Sequence, residues 1–173
     1  MQIQLYNAWI LTAGFFVTGT ALLLLMPRYN VGAFVKSPKM KYVTMLNKIG
    51  YYGFLLSALF IPFDENTLLF YTGLVIWFVG MLLYVYALFS FAVKEFNKPV
   101  TDRFYSVSRH PVYLSFFIVS TGIVIASFSL LLASFACIYF VSSYFIMKEE
   151  EKKCLETYGD EYRDYMKQTR MII

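Results

Sequence analysis

The sequence predicts an all-α integral membrane protein of about five transmembrane helices, with a C-terminal helical hairpin and an amphipathic cytoplasmic tail helix. Three observations predict it. Apolar residues make up 59% of the 173-residue chain, against roughly 45–50% in soluble domains. Apolar segments recur near the length of about 20 residues that a helix needs to cross a hydrocarbon core. Charged residues, only 15% of the total, gather in the connections between those segments and separate by sign, as membrane topology requires. The length fits one domain covering residues 1–173.

The first span runs from about Ile3 to Met26. The start, MQIQLYN, lacks a basic n-region, and no clear cleavage site follows, so this segment is expected to stay as an anchor. The stretch Arg28–Lys48 carries Arg28, Lys36, Lys39, Lys41 and Lys48 with no acid, the mark of a cytoplasmic connection. A second span covers about Ile49–Phe63, short unless it starts nearer Tyr42. The connection Phe63–Asn66 holds two acids and no base and belongs on the other side. The third span, about Leu68–Val93, contains Gly73 and Gly80. These lie two turns apart on nearly one face, which favours close helix contact. Lys94–His110 is basic and cytoplasmic again. The fourth span is Pro111–Ser127 and the fifth about Phe128–Met147, joined with almost no loop as a tight antiparallel hairpin. The three N-terminal spans thus fill residues 1–93, and the connection, hairpin and tail fill 94–173. Five spans with the N-terminus outside and the C-terminus cytoplasmic satisfy every connection. The short chain favours a prokaryotic plasma membrane.

The tail from Lys148 to Arg170 is polar with a stripe. Leu155, Tyr158, Tyr162 and Tyr165 recur at three- and four-residue steps, which is helical spacing. Gly159 weakens its middle. Such a segment lies on a membrane surface or caps the bundle.

The chemistry gathers at the cytoplasmic end of the hairpin. Pro111 suits the first position of a helix, where its missing N–H is unpaired anyway. A helix start carries free N–H groups and partial positive charge. Arg109 and His110 add to it, and Tyr113 brings a hydroxyl. Both legs of the hairpin are about one membrane thickness long, so Glu149, Glu150 and Glu151 return to the same depth as His110. Singly, basic residues at a membrane edge snorkel into headgroups, and an acidic run is solvated. Together they suit a ligand with both a carboxylate and an ammonium. The net charge of +4 is accounted for by cytoplasmic loops, so no nucleic-acid partner is expected. One histidine and two separated cysteines, Cys137 and Cys154, make no ordinary zinc site, and no metal or disulfide is expected.

Over roughly the last 80 residues the sequence resembles the isoprenylcysteine carboxyl methyltransferase family, within a wider group that includes membrane phospholipid methyltransferases. The resemblance rests on Arg109, His110, Pro111 and Tyr113, then the hairpin, then Glu150 and Glu151, then Tyr158, Gly159, Tyr162 and Tyr165. It implies S-adenosylmethionine as methyl donor and a lipophilic acceptor drawn from among the membrane lipids, either an isoprenylcysteine-type carboxylate or another small lipid O-nucleophile. It implies that His110, Pro111, Val112 and Tyr113 line the donor site. Glu150, with Glu151 beside it, would take the donor's ammonium. Tyr105 and the segment Asn97, Lys98, Pro99 and Val100 occupy positions of further donor contacts. Arg109 is the candidate catalytic residue, orienting the acceptor or holding the donor carboxylate. Phospholipid N-methylation, or a non-catalytic membrane subunit that keeps the fold, are the alternatives.

The sequence departs from the family pattern at four places. Ser115 stands where the family often has Gly, and Arg103 replaces the Gly that usually precedes Tyr105 by two. Ile146 stands where members acting on prenylcysteine carboxylates often carry Arg, with Lys148 the nearest base. The chain ends in RMII instead of Arg-x-x-Pro.

Overall fold

The computed structural model describes residues 7–25, 40–65, 67–92 and 98–173, and the regular structure among them is helical. Five long helices, α1 (Trp9–Leu25), α2 (Lys41–Ala58), α3 (Leu68–Ala92), α4 (Pro111–Ser127) and α5 (Leu130–Tyr158), precede a short α6 (Asp160–Gln168). A 3-10 turn at Arg103–Ser106 leads into α4. Two segments, Leu68–Phe91 and Leu130–Tyr158, are long and apolar enough to cross a membrane. Trp9–Ala21 and Pro111–Ser127 are apolar but shorter.

Several boundaries follow from local chemistry. Pro111 opens α4 with His110 at its N-cap. Ser129 opens α5 by accepting the Leu132 N–H on its hydroxyl, at 3.3 Å. The second helix starts at Lys41, beside Tyr42 as the longer of the two expected starts has it and not near Ile49; Lys41 and Lys48 in its first turns are exposed and need no apolar surroundings. The fifth helix does not stop near Met147. It continues through the Lys- and Glu-rich stretch, whose residues are good helix formers, and ends where Gly159 adopts φ +57°. At 1.5 Å per residue, 29 residues reach about 43 Å, well beyond a hydrocarbon core of about 30 Å. The end of α5 beyond Met147 therefore stands outside the apolar span and carries the site's carboxylates. Cys137 and Cys154 are free. They lie seventeen residues apart on this one helix, roughly 25 Å along its axis.

The hairpin is looser than its length suggested. Its turn is tight, with Phe128 left-handed at φ 45°. However, α4 packs mainly along α3, and α5 mainly along α2. Small residues explain the two close pairs. A Cβ placed on Gly122 would fall 2.5 Å from the Trp77 backbone N and 2.7 Å from Gly73 O, and one on Gly80 would fall 2.7 Å from Val119 N. The close approach expected at Gly73 and Gly80 is therefore made with α4. Gly50 plays the same part in the other pair, where an added Cβ would fall 2.6 Å from Tyr139 N. Between α4 and α5 stand bulky rings instead. Phe116 meets Tyr139 at 4.7 Å and Phe117 meets Phe140 at 4.6 Å between centroids, which keeps the axes apart.

α1 fills the seam between the pairs with Phe15, set 5.1 Å from Phe116 and 4.3 Å from Tyr84. The Trp77 indole N–H donates to Leu11 O at 3.2 Å. Asn47 of α2 donates to the Ser143 and Ser142 hydroxyls of α5, at 2.8 and 3.1 Å. The α3–α4 and α2–α5 pairs run in opposite directions, Gly73 meeting Ala126 where Gly80 meets Val119 and Asn47 meeting Ser143 where Gly50 meets Tyr139, whereas α1 runs in the same direction as α3.

Gly122→Val tests the α3–α4 contact. The clash is with backbone, which no rotamer change relieves, so a loss of about 1–3 kcal/mol or more is expected. Gly14→Ala is the control, since its added carbon meets only the Trp77 ring at 3.4 Å. Unfolding in a denaturing-detergent titration separates the two. Equal stability of Gly122→Val and wild type would refute close packing at this point.

Candidate functional site

The site is built from the connection before α4, the first turn of α4 and the polar end of α5. His110 is buried at 8% exposure. Its Nδ1 lies 3.7 Å from Glu150 Oε2 and its Nε2 lies 3.3 Å from Glu151 Oε1. The second contact is close enough for an ion pair but poorly aligned, so Nε2 is a buried nitrogen with no hydrogen-bond partner. The Tyr113 hydroxyl donates to Glu150 Oε1 at 3.0 Å. Arg109 Nε donates to Glu151 Oε1 at 2.6 Å, with both side chains about nine-tenths buried. The length argument that returned the acidic run to the depth of His110 is thus met by direct contact. Glu149, expected there too, makes no hydrogen bond or ion pair among the described residues. Ile146 is buried in the bundle, and the Lys148 ammonium sits over the Tyr144 ring at 4.7 Å.

The two carboxylates differ in electrostatics. Burial pushes Glu150 above the ordinary carboxylate value of 4.5, against the opposing pull of His110, the Tyr113 hydrogen bond and Lys153. Neighbouring Glu151 adds to the rise. Burial also acts upward on Glu151, but His110 and Arg109 outweigh it and hold that carboxyl below 4.5. One carboxyl is therefore firmly ionised, and the other is poised higher and faces the histidine and the tyrosine hydroxyl. Environments that separate two neighbouring carboxyls in this way are a feature of functional sites.

The remaining expected residues fall as follows. Pro111 is buried, and Val112 and Tyr113 are half-buried at the start of α4. The carbonyl of Tyr105 accepts from the Tyr165 hydroxyl at 2.6 Å. Lys98 is exposed, Pro99 buried and Val100 half-buried in the irregular stretch before the 3-10 turn. Asn97 lies outside the described residues. Arg103 adopts φ +55°, a left-handed conformation that glycine takes most readily. The guanidinium lies 5.3 Å from the centre of the Phe89 ring.

Sequence reasoning missed Ser108 and the end of the tail. The buried Ser108 hydroxyl accepts the His110 N–H at 3.2 Å and donates to Met171 O at 3.4 Å. Arg109 N–H donates to Arg170 O at 3.0 Å. Ser108 had a usable signal, a small hydroxyl two residues before a helix N-cap. The tail contacts had none, because most of them use backbone carbonyls.

No family model matches the chain, and no curated protein matches it.

Proposed function

We propose that this chain is a multi-pass membrane methyltransferase that uses S-adenosylmethionine to methylate a lipophilic acceptor. The observation that carries the reading is the cluster of His110 and Tyr113 at the start of α4 against Glu150 and Glu151 on the polar end of α5, in contact at 3.0–3.7 Å across the two helices. The same cluster offers a carboxylate for an ammonium and a helix start with a cation-capable ring for a carboxylate. The donor set therefore fits an amino-acid-bearing ligand. The donor itself rests on the family resemblance. Five alternating helices support five spans, with the site at the cytoplasmic end.

In this reading Glu150 holds the ammonium and Tyr113 fixes the carboxylate's orientation. His110 and the first N–H groups of α4 receive the carboxylate end. The donor supplies, when bound, an electrophilic methyl group on a sulfonium. The protein's contribution is alignment and exclusion of water, and alignment alone is worth up to about 7–11 kcal/mol.

Titration calorimetry on the protein in lipid nanodiscs tests this reading. Saturable binding of S-adenosylmethionine is expected, and its absence in folded protein sinks the proposal. The pH dependence is a sharper expectation. Glu150 must be ionised to hold an ammonium, and its pKa is raised. Affinity should therefore fall as pH drops through a value above 4.5, by up to about tenfold per pH unit for one proton. Mass spectrometry of lipid extracts after incubation with isotopically labelled donor identifies the acceptor.

A further inference from the structure

Arg109 is the natural candidate to meet a ligand carboxylate, but its bonds lead elsewhere. Its Nε is on Glu151 Oε1 at 2.6 Å. Its Nη1 donates to Met166 O at 3.3 Å and, more closely, to Thr169 O. Those carbonyls belong to the last turn and exit of α6, where unpaired C=O groups carry partial negative charge. The guanidinium is thus neutralised by one carboxylate and one helix C-terminus, with the side chain 9% exposed.

The surrounding contacts act in the same direction. Ser108 and Arg170 pair as a short parallel bridge, reinforced by Arg109 N–H to Arg170 O at 3.0 Å. The Tyr165 hydroxyl donates to Tyr105 O at 2.6 Å, and the Thr169 hydroxyl donates to Ser106 O at 3.4 Å. Residues 165–171 are bound as a strap along residues 105–109, directly beside His110. Tyr162 and Tyr165 of α6 are buried.

We propose that Arg109 is a positioning residue, a latch that seats the C-terminal strap and Glu151 against the donor site without touching donor or acceptor. A planar fork suits this task because it reaches a side chain and two carbonyls of the helix end at once. A lysine ammonium at the same place is a single point and cannot bridge them. The part concerning the donor rests on the methyltransferase reading; the latch itself does not.

Two variants of the full chain in nanodiscs test it, Arg109→Lys and Tyr165→Phe. The second cuts the strap at another point and leaves Arg109 intact. Hydrogen exchange without ligand reads the strap directly. Amides of residues 165–171, and the Arg109 amide itself, should exchange about tenfold faster or more in both variants, as local unlatching allows. Calorimetry then uses two probes, S-adenosylhomocysteine and its decarboxylated analogue. Through a seated strap, Arg109→Lys should weaken both probes by the same factor, about 5- to 100-fold as site coupling typically gives. Tyr165→Phe should do likewise, and the double variant should be no weaker than the worse single one. A loss confined to the carboxylate-bearing probe would show that Arg109 binds the donor directly and overturn the latch. Wild-type exchange rates in the strap of Arg109→Lys would overturn it equally. If the wild-type protein binds neither probe, the methyltransferase reading fails, and the exchange rates alone decide the latch.

Discussion

Glu150→Gln is expected to weaken donor binding by about 30-fold or more, the equivalent of at least about 2 kcal/mol, with little change in stability. The two halves of this expectation come from one fact. Glu150 is a buried carboxyl whose pKa is raised first by loss of solvent, so the folded protein holds its charge at a cost. Removing that charge relieves the unliganded protein. Glutamine keeps an oxygen to accept from the Tyr113 hydroxyl, now at 3.0 Å, so the local geometry has no reason to collapse. A ligand ammonium, by contrast, loses a charge-assisted partner in a poorly solvated place. Calorimetry with S-adenosylmethionine and a thermal melt measure the two halves separately. Wild-type affinity in the variant would remove Glu150 from the donor site and favour a subunit that keeps the fold without the chemistry. Loss of folding would place Glu150 among the structural residues instead.

How much of this was legible before the structure depends on which atoms carry the information. Pro111 announces the start of α4, and the acidic run after an 18-residue apolar stretch from Leu130 to Met147 announces its return partner. Side-chain types at those positions encode the contact between His110 and the two glutamates, so residue pattern and length were enough. The end of α5 was harder. Hydropathy changes sharply at Met147, but helix propensity does not, and the backbone follows propensity until Gly159. The splay of the hairpin was hidden for a different reason. A two-residue turn suggests adjacent legs, yet Gly73, Gly80 and Gly122 draw α4 to α3, while Phe116, Phe117, Tyr139 and Phe140 hold α5 away. Only the sum of interfaces decides that contest. The partners of Arg109 were the least legible, because two of them are carbonyls of Met166 and Thr169. Every residue has such a group, so sequence gives no sign of which ones a guanidinium will meet.

Arg109→Met should destabilise the fold by about 3–5 kcal/mol, the cost of leaving a buried carboxylate without its cation. The figure needs no large reduction for solvent, because the Arg109 and Glu151 side chains are only 9% and 10% exposed. Methionine fills much of the arginine stem's space, so the loss is electrostatic more than steric. Glu151→Gln supplies the other corner of a double-mutant cycle. Arg109→Met and Glu151→Gln together should cost less than the sum of the two single changes, since the double variant buries no unpaired carboxylate. The pH dependence has a definite sign. Glu151 is held below 4.5 in the folded protein, so its contribution to stability is complete above the ordinary carboxylate value and fades as pH falls through the lower folded one. In Arg109→Met one of the two groups that depress Glu151 is gone, His110 being the other, and protonation of Glu151 removes the weakly paired charge. The stability gap between wild type and Arg109→Met should therefore be widest at neutral pH and narrow as the solution is acidified below 4.5. Unfolding titrations of the four proteins at neutral and acid pH measure both effects. Strict additivity of the single changes, or a gap that does not narrow with acid, would mean that Arg109 stabilises the chain through its helix-end carbonyls alone and that the Glu151 pair contributes nothing of its own.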